Sequence, residues 1–171
     1  VFISALLGVE GGALPHVAEL GTIGLALPIS SHLRLAESGR FWRHSGQTLE
    51  GTPAGGVFSL WTFASSVCFT TTRNVPVTRL CLGLEAGRLS GASYGVRENG
   101  SGGSLWLAPL AGFEASVPTG TWISLVVGAE LGVPLVRRGF YLQEIGAEQS
   151  REIHQPSALS ARGSFGLSAN L

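Results

Sequence analysis

Strict alternation of apolar with small or polar residues, repeated over eight separate segments, constrains this chain more than any other feature. The clearest case is the last segment, Leu159 to Leu171, which reads LSARGSFGLSANL. Its odd positions, Leu159, Ala161, Gly163, Phe165, Leu167, Ala169 and Leu171, alternate without a break with Ser160, Arg162, Ser164, Gly166, Ser168 and Asn170. A period of two describes a strand with one apolar and one polar face. A chain that ends inside such a strand must pair or hide its edge. The segment therefore reads as the closing strand of a barrel, paired with the first segment and the seventh.

The other segments follow the same rule. Val1 to Glu10, Glu19 to Ile29, a strand through Leu33 and Leu35, Val57 to Phe69, Arg79 to Leu89, Ser104 to Val117 and Trp122 to Val136 all alternate. The connections after the second, fourth and sixth are short and carry Pro, Gly, Asn or Ser, the residues of tight turns. Those after the third, fifth and seventh are long and polar, near Gly39–Gly56, Ser90–Gly103 and Arg137–Pro156. The expected fold is all-β, a single domain over residues 1–171. The chain contains no Met, which reads as a processed or partial chain, one that could lack a segment before Val1.

Composition bears on which face points inward. The chain is 44% hydrophobic and 13% charged, with a mean hydropathy of +0.32. No apolar run is long enough for a spanning helix, and the best candidate, Trp122 to Val136, is broken by Glu130 and Pro134. High hydropathy without a helical span is what a transmembrane β-barrel produces, because only alternate residues meet lipid. The polar face is mostly Gly, Ser, Ala and Thr with isolated charges, which suits the crowded lumen of an eight-stranded barrel. The competing reading is a soluble calycin-like carrier, with its apolar face inward and a charged exterior.

On the membrane reading the inward face holds Glu10, Arg34, Glu85, Glu114, Glu130 and Arg162, with His32 near one end. An Arg on the lipid face at mid-membrane costs about 2–4 kcal/mol, so these charges belong inside. There they should pair, and Arg162 is expected to meet Glu130 or Glu10 on the neighbouring strands. Acids outnumber bases in this set, so one or two Glu are expected near a barrel end, hydrated or protonated.

Cys68 and Cys81 lie symmetrically about the Arg73–Val75 turn. Pairing 68 with 81 keeps every apolar residue of the hairpin on one face and makes the sulfurs direct cross-strand neighbours. That arrangement fits a disulfide and an oxidising compartment. Arg40, Phe41, Trp42 and Arg43 combine basic and aromatic residues at a strand end, which suits anchoring at the lipid headgroup level, including contact with lipopolysaccharide phosphates.

Chemistry is otherwise sparse. Gly91-Ala92-Ser93-Tyr94-Gly95 matches G-x-S-x-G, yet no helix is predicted after it, as a nucleophile elbow requires. His154 with Ser150 and Glu152 is nominally a nucleophile–base set, but proximity within one loop does not establish its geometry. No metal, cofactor or catalytic residue is assigned. Net charge is zero and the Arg residues are scattered, which gives no support for nucleic-acid binding.

Eight alternating segments, short turns at one end against long loops at the other, and the terminal strand resemble the small outer-membrane β-barrel family of Gram-negative bacteria. The resemblance implies an antiparallel up-and-down transmembrane barrel with first and last strands paired, located in the outer membrane. It implies a non-enzymatic role in envelope structure, anchoring or surface-loop display. Membrane lipids and lipopolysaccharide are the implied partners, together with the barrel-assembly machinery, which would read Leu159–Leu171. That family usually ends its last strand in an aromatic residue; here the end is Leu171, with Phe165 six residues back. A lipid-modifying enzyme on the same scaffold is the alternative role.

Overall fold

A computed structural model describes residues 1–49, 53–72, 74–95, 100–143 and 150–171. The described residues form strands and connections, with no helix. The strands are β1 (Phe2–Gly11), β2 (Ala18–Pro28), β3 (Leu33–Trp42), β4 (Ser45–Thr48), β5 (Gly55–Thr72), β6 (Val77–Tyr94), β7 (Ser101–Pro118), β8 (Ile123–Gly132), β9 (Phe140–Gln143), β10 (Ser150–His154) and β11 (Ser160–Asn170). Eight of them, β1, β2, β3, β5, β6, β7, β8 and β11, pair with their neighbours around the ring in antiparallel fashion. The ring closes through β1 and β11, in register from Phe2 opposite Asn170 to Gly11 opposite Ala161. Closure leaves no free edge around the waist.

The surface is inverted relative to a water-soluble barrel. Ile3, Leu7, Val9, Ile23, Phe63, Leu82, Leu84, Val127, Leu131, Phe165 and Leu167 all stand exposed on the exterior. Their alternate neighbours include the buried Glu10, Arg40, Glu85 and Arg162, which turn into the lumen. Water would not sustain an apolar belt of this extent, whereas lipid does. The calycin-like arrangement, apolar inside and charged outside, is thereby excluded.

The two ends differ. At one end the chain turns through Ile29–His32, Asn74–Pro76 and Thr119–Trp122, and both termini lie there, with the Leu171 amide donating to the Val1 carbonyl at 2.9 Å. At the other end β5, β6 and β7, each 18 residues long, overrun the neighbouring strands of 10 or 11 residues. Several expected loops are therefore partly strand. Residues 39–42 continue β3, and Ser90–Tyr94 and Ser101–Gly103 extend the β6–β7 ladder. Gly and Ser tolerate the ladder but do not announce it by alternation. The seventh strand of the ring ends at Gly132, although the Val133 and Leu135 amides still donate to the Pro109 and Leu107 carbonyls. The connection expected as a long polar loop, residues 137–156, contains the β9–β10 hairpin.

That hairpin helps cap the barrel mouth. Phe140 meets Phe58 edge-on at 5.1 Å between ring centroids, and the His154 ring lies 5.1 Å from the same Phe58. Ala13, Leu14, Trp42, Phe58, Leu60, Leu89, Trp106 and Ile153 belong to one buried apolar cluster beneath it. On the exterior, the Phe41 ring lies over Gly21 on the adjacent strand, where any Cβ would overlap the ring.

Candidate functional site

Among the described residues, charged side chains converge in the lumen. Its outer half, taken as the one toward the overrunning ends of β5, β6 and β7, is organised on Glu85, which is fully buried. Strand β6 aims it inward, and it accepts from Arg40 Nη1 at 2.8 Å, Arg162 Nη1 at 2.5 Å and Trp106 Nε1 at 2.6 Å. Arg40 also donates through Nη2 to Glu130 Oε1 at 2.9 Å. The Arg162 guanidinium lies 5.4 Å from the Trp42 ring centroid, within cation–π range. Glu10 Oε1 accepts the Ala13 amide at 3.1 Å, tying the network to the cap. Two guanidinium forks on one carboxylate satisfy most of its lone pairs, the condition under which a buried charge is tolerated.

The inner half holds a second cluster. Glu114 Oε1 accepts from Arg34 Nη2 at 2.5 Å and from Arg79 Nη1 at 2.8 Å, and Arg79 also donates to Ser116 Oγ at 3.0 Å. The Arg34, Arg79 and Glu114 side chains retain 13–22% exposure, and beside them lies a cavity of about 120 Å³ lined by Ser4, Thr22, Ser124 and Ser168. Cys68 and Cys81, direct register partners on β5 and β6, are joined by a disulfide on this wall.

The pairing pattern departs from the sequence expectation in two respects. Arg162 stands between Glu10 and Glu130 in register, yet its salt bridge crosses the lumen to Glu85 on β6. Its long side chain reaches the far wall of a narrow barrel. The expected surplus of acids also disappears, because Arg40 and Arg79 face the lumen as well. Among the described residues, four arginines (Arg34, Arg40, Arg79, Arg162) then stand against four lumenal glutamates (Glu10, Glu85, Glu114, Glu130). Alternation carried upward from Arg34 would have placed Arg40 inside, and alternation from Glu85 would have done so for Arg79.

The basic-aromatic run at residues 40–43 is accordingly split by the pleat. Arg40 and Trp42 are buried in the lumen and cannot anchor at a headgroup level, which corrects that part of the expectation. Phe41 is 59% exposed on the exterior, and Arg43 forms an exposed salt bridge to Glu19 at 3.0 Å. Phe41 faces Trp61 in register, and Trp61 faces Arg88, which is also exposed. The exterior set at this level therefore includes Phe41, Arg43, Trp61 and Arg88. His32 sits in the β2–β3 turn, where its Nδ1 lies 3.1 Å from Ser31 Oγ.

No catalytic constellation forms among the described residues. Ser93 lies on the end of β6, and its hydroxyl accepts the Gly100 amide at 2.7 Å and donates to the Gly100 carbonyl at 3.1 Å. A strand, not a turn into a helix, carries it. His154 Nε2 is hydrogen-bonded to the Ala13 carbonyl at 2.8 Å, while the Glu152 carboxylate accepts from the Tyr141 hydroxyl at 3.1 Å. Burial pushes the His154 imidazole below its ordinary value, against a smaller upward pull from the Ala13 carbonyl and Glu152. The side chain of Ser150 lies outside the described residues. Among the described residues no three metal-ligating side chains cluster.

No family model and no curated protein matches this chain. Solved structures do. A major outer membrane protein from Thermus thermophilus superposes with a TM-score of 0.68 at 14% identity, over 98% of each chain. Ail, the attachment invasion locus protein of Yersinia pestis, gives 0.59 at 10% identity, covering 98% of this chain and 94% of its own. Neisserial surface protein A gives 0.54 at 14% identity, over 99% and 95%. Likeness at such low identity is a likeness of fold, and the fold it shows is that of the small eight-stranded outer-membrane β-barrels.

Proposed function

We propose that this chain is a non-enzymatic outer-membrane barrel of a Gram-negative envelope, an anchor whose plugged lumen supports a structured outward end. The observation that carries the reading is the inverted surface: an apolar exterior belt around a lumen filled by matched charges. The buried Glu85, Arg40, Arg162, Trp106 and Trp42 that occupy the lumen support a scaffold rather than a pore. The lumenal residues Glu10, Arg34, Glu85, Glu114, Glu130 and Arg162, with Arg40 and Arg79, are structural in this account.

At the outer rim, Arg43 and Arg88 beside Phe41 and Trp61 suit the phosphates of lipopolysaccharide, with the rings at the headgroup boundary. One neighbour supports testing anionic saccharides there, since Ail has been solved in complex with the heparin analogue sucrose octasulfate. Leu159–Leu171 is the segment offered to the assembly machinery.

Planar bilayer recordings test the plugged lumen: insertion without resolved conductance steps is expected, and stable open-channel steps would refute it. Binding of lipid A vesicles by wild type and an Arg43→Ala/Arg88→Ala variant tests the rim. At least tenfold weaker binding by the variant is expected, and equal binding would refute the assignment.

A further inference from the structure

The charges of the lumen balance as a whole but not level by level. In its inner half two guanidinium groups, Arg34 and Arg79, share one carboxylate, and both reach the same atom of it, Glu114 Oε1. Each guanidinium carries five N–H donors. Among the described residues Arg34 donates only through Nη2, and its Nε is buried without a partner. Arg79 donates only through Nη1, to Glu114 and to Ser116 Oγ. Two further glutamates border this space. Glu130 is held by Arg40 at 2.9 Å, and Glu37 belongs by alternation to the other face of β3, where it accepts from the Ser65 hydroxyl at 2.7 Å. The inner half is thus left with a surplus positive charge, which is costly inside a barrel wrapped in lipid unless an anion joins it.

The wall opposite carries the complementary groups. The order of strands around the ring places β8, β11 and β1 across the lumen from β3, β5 and β6. On that far wall Ser124, Ser168 and Ser4 are successive register partners, so three hydroxyls stand at one level. None of the three has a hydrogen-bond partner among the described residues, and all line the cavity of about 120 Å³ that Arg34 and Arg79 also line. One water needs roughly 10–15 Å³ of such space, so the cavity takes a group the size of phosphate with water beside it. It runs down to Phe2 and Ser124 at the inner ends of their strands, away from the apolar cluster that closes the outer half.

We propose that this cavity binds one small oxyanion of the phosphate class, entering from the inner mouth. Besides bracing their wall, Arg34 and Arg79 supply the charge and the unused N–H donors. A planar guanidinium offers parallel donors that match two oxygens of such an anion. The hydroxyls of Ser4, Ser124 and Ser168 donate to the remaining oxygens from across the lumen. This site is separate from the outer rim, where Arg43 and Arg88 stand on the exterior.

Calorimetric titration with inorganic phosphate of the barrel folded in a non-ionic detergent, at low chloride, tests this. Wild type should bind one phosphate per barrel, saturably, in the millimolar range or tighter. Arg34→Gln and Arg79→Gln should each weaken binding at least tenfold while keeping the heat-dependent gel migration of a folded barrel. Glu114→Gln removes the carboxylate that competes for both guanidinium groups and should tighten binding at least threefold. A gain of affinity cannot come from misfolding, so this variant keeps the proposal testable if the arginine variants fold poorly. Arg43→Ala/Arg88→Ala should bind phosphate as wild type does, which separates the lumen from the rim. Absence of saturable binding in wild type overturns the proposal. So do wild-type affinity in both Arg34→Gln and Arg79→Gln, binding by Glu114→Gln no tighter than wild type, and loss of binding in the rim variant.

Discussion

The outer and inner halves of the lumen solve the same problem differently. In the outer half Glu85 is fully enclosed, gripped by two arginines and an indole, and sealed by the apolar cluster under the β9–β10 hairpin. The inner half is open to a polar cavity, and Arg34, Arg79 and Glu114 keep contact with it. The outer half sets three glutamates against two arginines and the inner half two arginines against one glutamate, so the charges balance across the whole lumen, and it is Glu85, Arg40 and Arg162 that depend wholly on their partners. Breaking a pair there should be costly, and breaking one in the inner half should be partly repaired by water.

The largest expected effect follows directly. Glu85→Gln leaves Arg40 and Arg162 buried against a neutral amide and should destabilise the barrel by about 3–5 kcal/mol. Glu114→Gln should cost only about 1–2 kcal/mol, because water can replace the lost acceptor. Urea unfolding of both variants in detergent micelles measures the gap, and equal losses would erase the distinction between the halves. Next, Phe58→Ala removes the ring that joins the cap to the outer lumen. It should cost the cap about 3 kcal/mol, read as protease cleavage within residues 133–158 before any loss of the barrel.

On the inner wall, reducing Cys68–Cys81, 13 residues apart, should lower stability by about 3 kcal/mol in the chain-entropy picture. Unfolding with and without reductant measures it. The smallest effect belongs to His154. Its folded value lies below the ordinary 6.5 because burial disfavours the charged ring, so the unfolded cap binds more protons. Stability of the cap is therefore full above the ordinary value and is lost as pH falls through it toward the folded one. Protease sensitivity of the cap should rise on acidification in wild type and lose that dependence in His154→Gln.

The waist was legible in the sequence because lipid outside and a crowded lumen inside impose alternation on every residue. Leu159–Leu171 and Val1–Glu10 could be paired on that basis alone. Legibility ended where the wall leaves the apolar belt. Beyond it both faces meet water, the pattern lapses, and Ser90–Tyr94 or Ser101–Gly103 look like loop although they extend the ladder. The β9–β10 hairpin was hidden for the same reason. Arg40 and Trp42 were misread because a polar run from Ala36 to Arg40 resembles a loop entry, whereas the pleat continues and sends both inward. Which glutamate takes Arg162 depends on distances across the lumen, which no alternation encodes.

The central claim is a closed barrel with lipid outside and matched charges within. Gel migration after folding in detergent tests it most directly, comparing unboiled with boiled samples in SDS. The account predicts a compact, fast-migrating species that converts to the unfolded position only on heating, and a single position with and without heating would contradict it.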